Sequence, residues 1–164
     1  MPARPGIERI RAANTLRSGM GFQFAETMTG TVEWDKEPGV RHPFSFDVIV
    51  EAASIRVHLR DGKATLHGTV HAPPLTRAAD AEGTITIRPV GQRIIRYELQ
   101  FAGDDGNLYE LVGQKDIRWR DLTHSFTYLP AEILDGEHRR IGACQTTFNL
   151  KRDGWNFLRS FRRL

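Results

Sequence analysis

The chain predicts an all-β protein: an antiparallel, up-and-down, lipocalin-like barrel of about eight strands. Apolar and polar residues alternate with period two in one segment after another, as in Phe44-Phe46-Val48-Val50 and Ile95-Tyr97-Leu99-Phe101, the pattern of strands with one buried face. Turn chemistry separates the segments. Asp61-Gly62, Asp105-Gly106 and Asp135-Gly136 supply residues that tolerate the positive φ angles of tight hairpins. The segments also follow one another through short connections, and a sheet of that many consecutive antiparallel strands tends to close on itself and lose its exposed edges.

The elements run in this order. Residues 1–21 form an arm, with Ile7, Ile10 and Leu16 at loose helical spacing and Gly19 and Gly21 ending the short helix they predict. The barrel occupies 22–151, with strands over 22–34, 44–51, 63–72, 83–89, 93–102, 107–119, 124–134 and 140–150. Asp35 to Gly39 reads as a longer hairpin loop and Pro89-Val90-Gly91 as another turn. Ala72 to Ala81 is the longest break, because Pro73 and Pro74 cannot donate to a ladder. Residues 52–60 fit either a strand (Ile55, Val57, Leu59) or a turn of helix (Ala52, Ile55, Leu59). Residues 152–164 space Trp155, Leu158, Phe161 and Leu164 three apart, which predicts an amphipathic C-terminal helix packed on the barrel.

Composition narrows the class. At 164 residues, 40% hydrophobic and 26% charged, the chain suits one domain with its own core. No apolar run approaches the roughly 20 residues of a membrane-spanning helix, and the N-terminus lacks the apolar stretch of a secretion signal. A single cysteine, Cys144, excludes an intrachain disulfide and fits a reducing compartment, so the expectation is cytoplasmic. Net charge is +3 but uneven: residues 1–20 carry four Arg against one Glu, and residues 151–164 five Lys/Arg against one Asp, leaving 21–150 at −4. A nucleic-acid binder concentrates its basic residues on the folded surface, so no nucleic acid is expected. Basic ends could grip an acidic partner or a membrane; solvated termini are the simpler reading, and no membrane contact is expected.

Two charges break the alternation. Glu26 falls in the apolar register of Phe22, Phe24, Met28, Val32 and Trp34, and Lys115 in that of Tyr109, Leu111, Ile117 and Trp119. Both should face the interior, where an unpaired charge is costly. They mark either a structural ion pair or the polar end of a ligand site, with Glu26 as a general acid or base tuned by Lys115. Gly30, Gly68 and Gly113 share the inward register and would leave room there for a ligand or a bulky neighbour. His67 and His71 lie on one strand roughly 13 Å apart, too far to share a metal ion. No metal or cofactor is expected. Cys144 alternates with Thr146, Phe148 and Leu150 and reads as an inert core thiol.

Tyr109-x-Leu111-x-Gly113-x-Lys115, followed by Trp119 and Asp121-Leu122-Thr123-His124, together with Phe24-x-Glu26-x-Met28-x-Gly30 and Leu66-x-Gly68-x-Val70, resembles the small β-rich accessory region of bacterial cholesterol-oxidase-like flavoenzymes of the glucose-methanol-choline oxidoreductase group. The resemblance runs over about residues 22–162. It implies an accessory or ligand-handling barrel, with a flavoenzyme as partner, and carries over no catalytic residue. The chain has no Gly-x-Gly-x-x-Gly dinucleotide fingerprint.

The expected function is binding of a small apolar, lipid- or sterol-like molecule inside the barrel. Glu26 and Lys115 would hold its polar end, Phe24, Met28, Trp34, Phe46, Tyr97, Leu111, Trp119 and Phe148 would line it, and His124 would orient it at the rim. The alternatives are a barrel isomerase, cyclase or hydrolase with Glu26 as base, and a partner-binding accessory subunit that docks through its basic C-terminal helix.

Overall fold

The computed structural model describes residues 21–54, 58, 60–148 and 162–163. Eight strands follow one another antiparallel: β1 (Phe22–Trp34), β2 (Arg41–Ala52), β3 (Lys63–Ala72), β4 (Thr76–Arg88), β5 (Ile94–Ala102), β6 (Leu108–Asp116), β7 (Tyr128–Leu134) and β8 (Arg140–Thr147). Each pairs with its neighbour in sequence, and β1 pairs with both β2 and β8, so the sheet closes into a barrel. A two-residue strand, β9 (Arg162–Arg163), adds to the start of β1 at Phe22 and Gln23. One short helix, α1 (Leu122–Thr127), separates β6 from β7.

Alternation fills the interior. Met28, Val32, Phe46, Val50, Leu66, Val70, Ile85, Tyr97, Leu99, Leu111, Leu129 and Ile133 are buried in a single core. The hairpin loops β1–β2, β3–β4, β5–β6 and β7–β8 gather at one end. The β2–β3 and β4–β5 loops, α1 and the start of β1 lie at the other.

The fold departs from the sequence reading in several places. Residues 76–81, expected in a break, begin β4. The Pro73–Pro74 turn needs only three residues, and the small Ala79 and Ala81 are buried opposite Val70 and Phe101, where large and small side chains complement each other. β2 starts three residues earlier than expected, through Pro43; the β2–β3 ladder begins only at Ser45, so no β3 partner requires the missing N–H. Residues 122–127, placed partly in a strand, are α1: the Asp121 carboxylate caps it by accepting from the His124 N–H at 3.4 Å. The strand expected over 107–119 stops at Asp116, which releases Trp119 from the inward register. In the Asp135-Gly136 turn the positive φ falls on His138 (59°). The N-terminal helix over 7–17 and the C-terminal helix lie outside the described residues, apart from Arg162 and Arg163, which are extended in β9.

The inward glycines leave no room for a ligand. A Cβ on Gly30 would fall on the carbonyl of Gln145, and one on Gly68 on the carbonyl of Asp47. At both positions the adjacent strand takes the space, as happens where a closing sheet coils tightly.

Candidate functional site

Two regions carry concentrated chemistry. The first lies in the interior, in the half of the barrel toward α1. Glu26 projects from β1 and Lys115 from β6, strands that are not neighbours in the sheet, and the two meet across the lumen. Lys115 Nζ donates to Glu26 Oε1 at 2.9 Å, with the side chains only 3% and 8% exposed. Tyr97, on β5, donates its phenol O–H to the same carboxylate, 2.9 Å from Oε2 and 3.1 Å from Oε1. The ammonium also lies 3.9 Å from Met28 Sδ and 5.0 Å from the Tyr97 ring centroid, within reach of the negative ring face. Burial first, and then the neighbouring Glu26 charge, hold the Tyr97 phenol well above its ordinary pKa. Among the described residues no buried side-chain nitrogen or oxygen lacks a hydrogen-bond partner. The cluster is therefore self-satisfied.

The second region is an open cleft of about 900 Å³ at the end formed by the four hairpin loops. Trp34, Leu75, Leu108, Tyr109 and Ile141 give it apolar walls, and its polar rim carries six carboxylates against three cations. Local hydrogen bonds fix that rim. The Trp34 indole N–H donates to the Pro73 carbonyl at 3.1 Å. The Tyr109 phenol donates to Asp105 Oδ2 at 2.7 Å; this bond, with those from Asn107, lowers the Asp105 pKa, and the same bond to Asp105, aided by burial, raises that of Tyr109. Asp135 accepts from the Arg139 and Glu137 backbone N–H groups, which hold its carboxylate below the usual range. Arg140 is held by Asp35 at 2.9 Å.

The expected site residues divide accordingly. Met28 and Tyr97 touch the Glu26–Lys115 pair, Phe46 stacks obliquely 6.1 Å from Tyr97, and Leu111 is buried in the same core opposite Leu99. Phe24 and Phe148 are buried toward the α1 end. Trp34 lies at the opposite end and belongs to the cleft. Trp119 corrects the reading: it is 56% exposed outside the barrel, because β6 ends three residues before it. His124 is exposed at the α1 end, stacked on Tyr128 at 5.2 Å and far from the cleft. Cys144 is buried and its pKa is pushed up to about 12 by burial, which fits an inert thiol. Among the described residues no group of three His, Cys, Asp or Glu is arranged to hold a metal ion.

Sequence reasoning missed two features. Tyr97 was legible as a lining residue, but its hydroxyl as third member of the cluster depends on the β5–β6 register, which sets Tyr97 beside Gly113 and one pleat from Lys115. The cleft draws on four separate hairpin loops, and no local motif signals such a gathering. No family model, curated protein or solved structure matches the chain.

Proposed function

We propose that the barrel binds a small, mostly apolar molecule in the cleft at its hairpin end. One observation carries this reading: an opening of about 900 Å³ with apolar walls and a hydrogen-bonded polar rim, the size and composition of small-molecule sites. The excess of carboxylates on the rim disfavours an anionic head group, so a neutral sterol-like or cationic amphiphile fits better than a fatty-acid anion. Glu26 and Lys115, each already bonded to the other, act in this reading as a structural tie rather than as ligand anchors.

The experiment is titration with a fluorescent sterol analogue and a fluorescent long-chain carboxylate. Saturable binding of the sterol probe, stronger than that of the carboxylate and lost in Leu108→Glu and Ile141→Glu, is the expected result. Binding that survives both substitutions would remove the cleft from consideration.

A second reading, an enzyme using Glu26 as base, is favoured by the buried Glu26–Tyr97–Lys115 constellation. A general base must reach the substrate proton directly or through one water, and the carboxylate here is occupied by the phenol and the ammonium. Association with a flavoenzyme rests on the motif resemblance alone.

A further inference from the structure

Two of the three cations that line the cleft are paired, while Lys36 makes no ion pair among the described residues. At the cleft end Arg139 pairs with Asp135 and Glu137, and Arg140 with Asp35 and Glu132. At the opposite end the β4–β5 turn and the segment after β6 are joined, the Ile117 N–H donating to the Arg93 carbonyl at 2.7 Å. Further along, the Arg118 N–H donates to the Ser125 hydroxyl at 3.2 Å, which ties the same segment to α1. These links gather Arg93, Arg118 and Arg120, all exposed, and none of the three makes an ion pair among the described residues. On the same loops stand the exposed apolar side chains Val90 (84%), Trp119 (56%) and Phe126 (42%). The described chain also enters and leaves here: Gly21 precedes β1, and β9 pairs with Phe22 and Gln23. Beyond these points lie the two most basic stretches, 1–20 and 151–164.

Unpaired guanidiniums beside exposed aromatic and aliphatic side chains fit a surface that presents negative charge at its face and apolar matter just beneath. Tryptophan favours that boundary, with its ring in the apolar zone and its N–H toward water, and anionic head groups attract clustered arginine. We propose that the α1 end docks on an anionic lipid surface, with Trp119, Phe126 and Val90 entering the head-group layer and Arg93, Arg118 and Arg120 meeting lipid phosphates. The cleft at the other end would then face the aqueous phase. Lipid is favoured over an acidic protein or a nucleic acid because the apolar groups sit on loop tips and a single turn of helix, placed to insert.

The test is co-sedimentation of the full chain with phosphatidylcholine vesicles, and with vesicles that also contain phosphatidylglycerol. Retention on the anionic vesicles alone, released by added salt, is expected. R93Q/R118Q/R120Q and W119A/F126A should each weaken it by about tenfold or more, with unchanged melting transitions. Brominated lipid should quench part of the tryptophan emission, and W119F should remove that part. Equal retention on neutral vesicles, or variants that bind like the parent, would overturn the proposal; the latter would assign the attraction to the basic terminal stretches. Binding to polyglutamate or duplex DNA without retention on vesicles would overturn it as well.

Discussion

At the scale of single residues the Glu26–Lys115–Tyr97 cluster is the most consequential feature. It joins β1 to β6 and β5 across the lumen, so it fixes which strands face each other in a way that apolar packing alone leaves loose. Its members are interdependent. Glu26→Gln removes the charge opposite a buried ammonium and should destabilise the fold by about 3–5 kcal/mol, the cost of leaving one member of a buried pair unmatched. Adding Lys115→Met should restore much of that loss, and urea unfolding of the two singles and the double measures it. Additive losses would mean the charges do not depend on each other. Tyr97 adds a pH dependence. An unfolded phenol loses its proton near pH 10, whereas burial and Glu26 keep the folded Tyr97 protonated well above that. The folded state therefore binds more protons at alkaline pH, and the stability this group supplies is intact below about pH 10 and falls as pH rises beyond it. Tyr97→Phe should flatten that alkaline decline while costing about 1–3 kcal/mol at neutral pH through the lost hydrogen bonds. Cys144, with its pKa pushed up to about 12 by burial, should resist a thiol-specific reagent at pH 8 until the protein unfolds. Rapid labelling of the native protein would show that β8 opens locally.

At the scale of elements, strands with strong alternation were legible and weakly marked ones were not. β1, β3 and β5 lie within a residue of where their patterns place them, because burial of one face dictates a period of two. The start of β4 was hidden because alanine carries little β signal and becomes a good strand residue only opposite Phe101 and Val70. α1 was hidden because six residues hold too few turns to show a helical period; its one local signal was Asp121 in the capping position. Gly30 and Gly68 show the same limit from another side. Their inward register was readable, but whether the vacated space held a ligand, a ring or a backbone was not. Gly30→Ala and Gly68→Ala should each destabilise by at least about 1–3 kcal/mol, since the added methyl meets a carbonyl that cannot rotate away. Thermal melting checks this, and an unchanged midpoint would mean the strands can separate locally at no cost.

At the scale of the whole molecule the barrel is unevenly closed. β1 and β2 share twelve paired positions and β5 and β6 nine, but β6 and β7 only four, from Glu110–Leu134 to Gly113–Ala131. β6 leaves the seam just before Lys115, and α1 fills the connection. Hydrogen exchange should therefore proceed faster in Tyr128–Leu134 than in the β1–β2 ladder, since sub-global opening begins where the fewest hydrogen bonds must break. Equal protection would show that the Glu26–Lys115 tie compensates for the short seam.

The sequence by itself determined the all-β class, the consecutive antiparallel order and the inward direction of Glu26, Lys115, Met28, Phe46 and Leu111. Each of these follows from short-range rules of pleat and turn that the chain cannot evade. Only the tertiary structure decided that Glu26 and Lys115, 89 positions apart, touch each other and Tyr97 across the lumen. It also decided that Trp34 belongs to an end cleft, and that Trp119 turns outward past the end of β6. Those outcomes depend on strand register and barrel closure, which bring together residues that no local pattern relates.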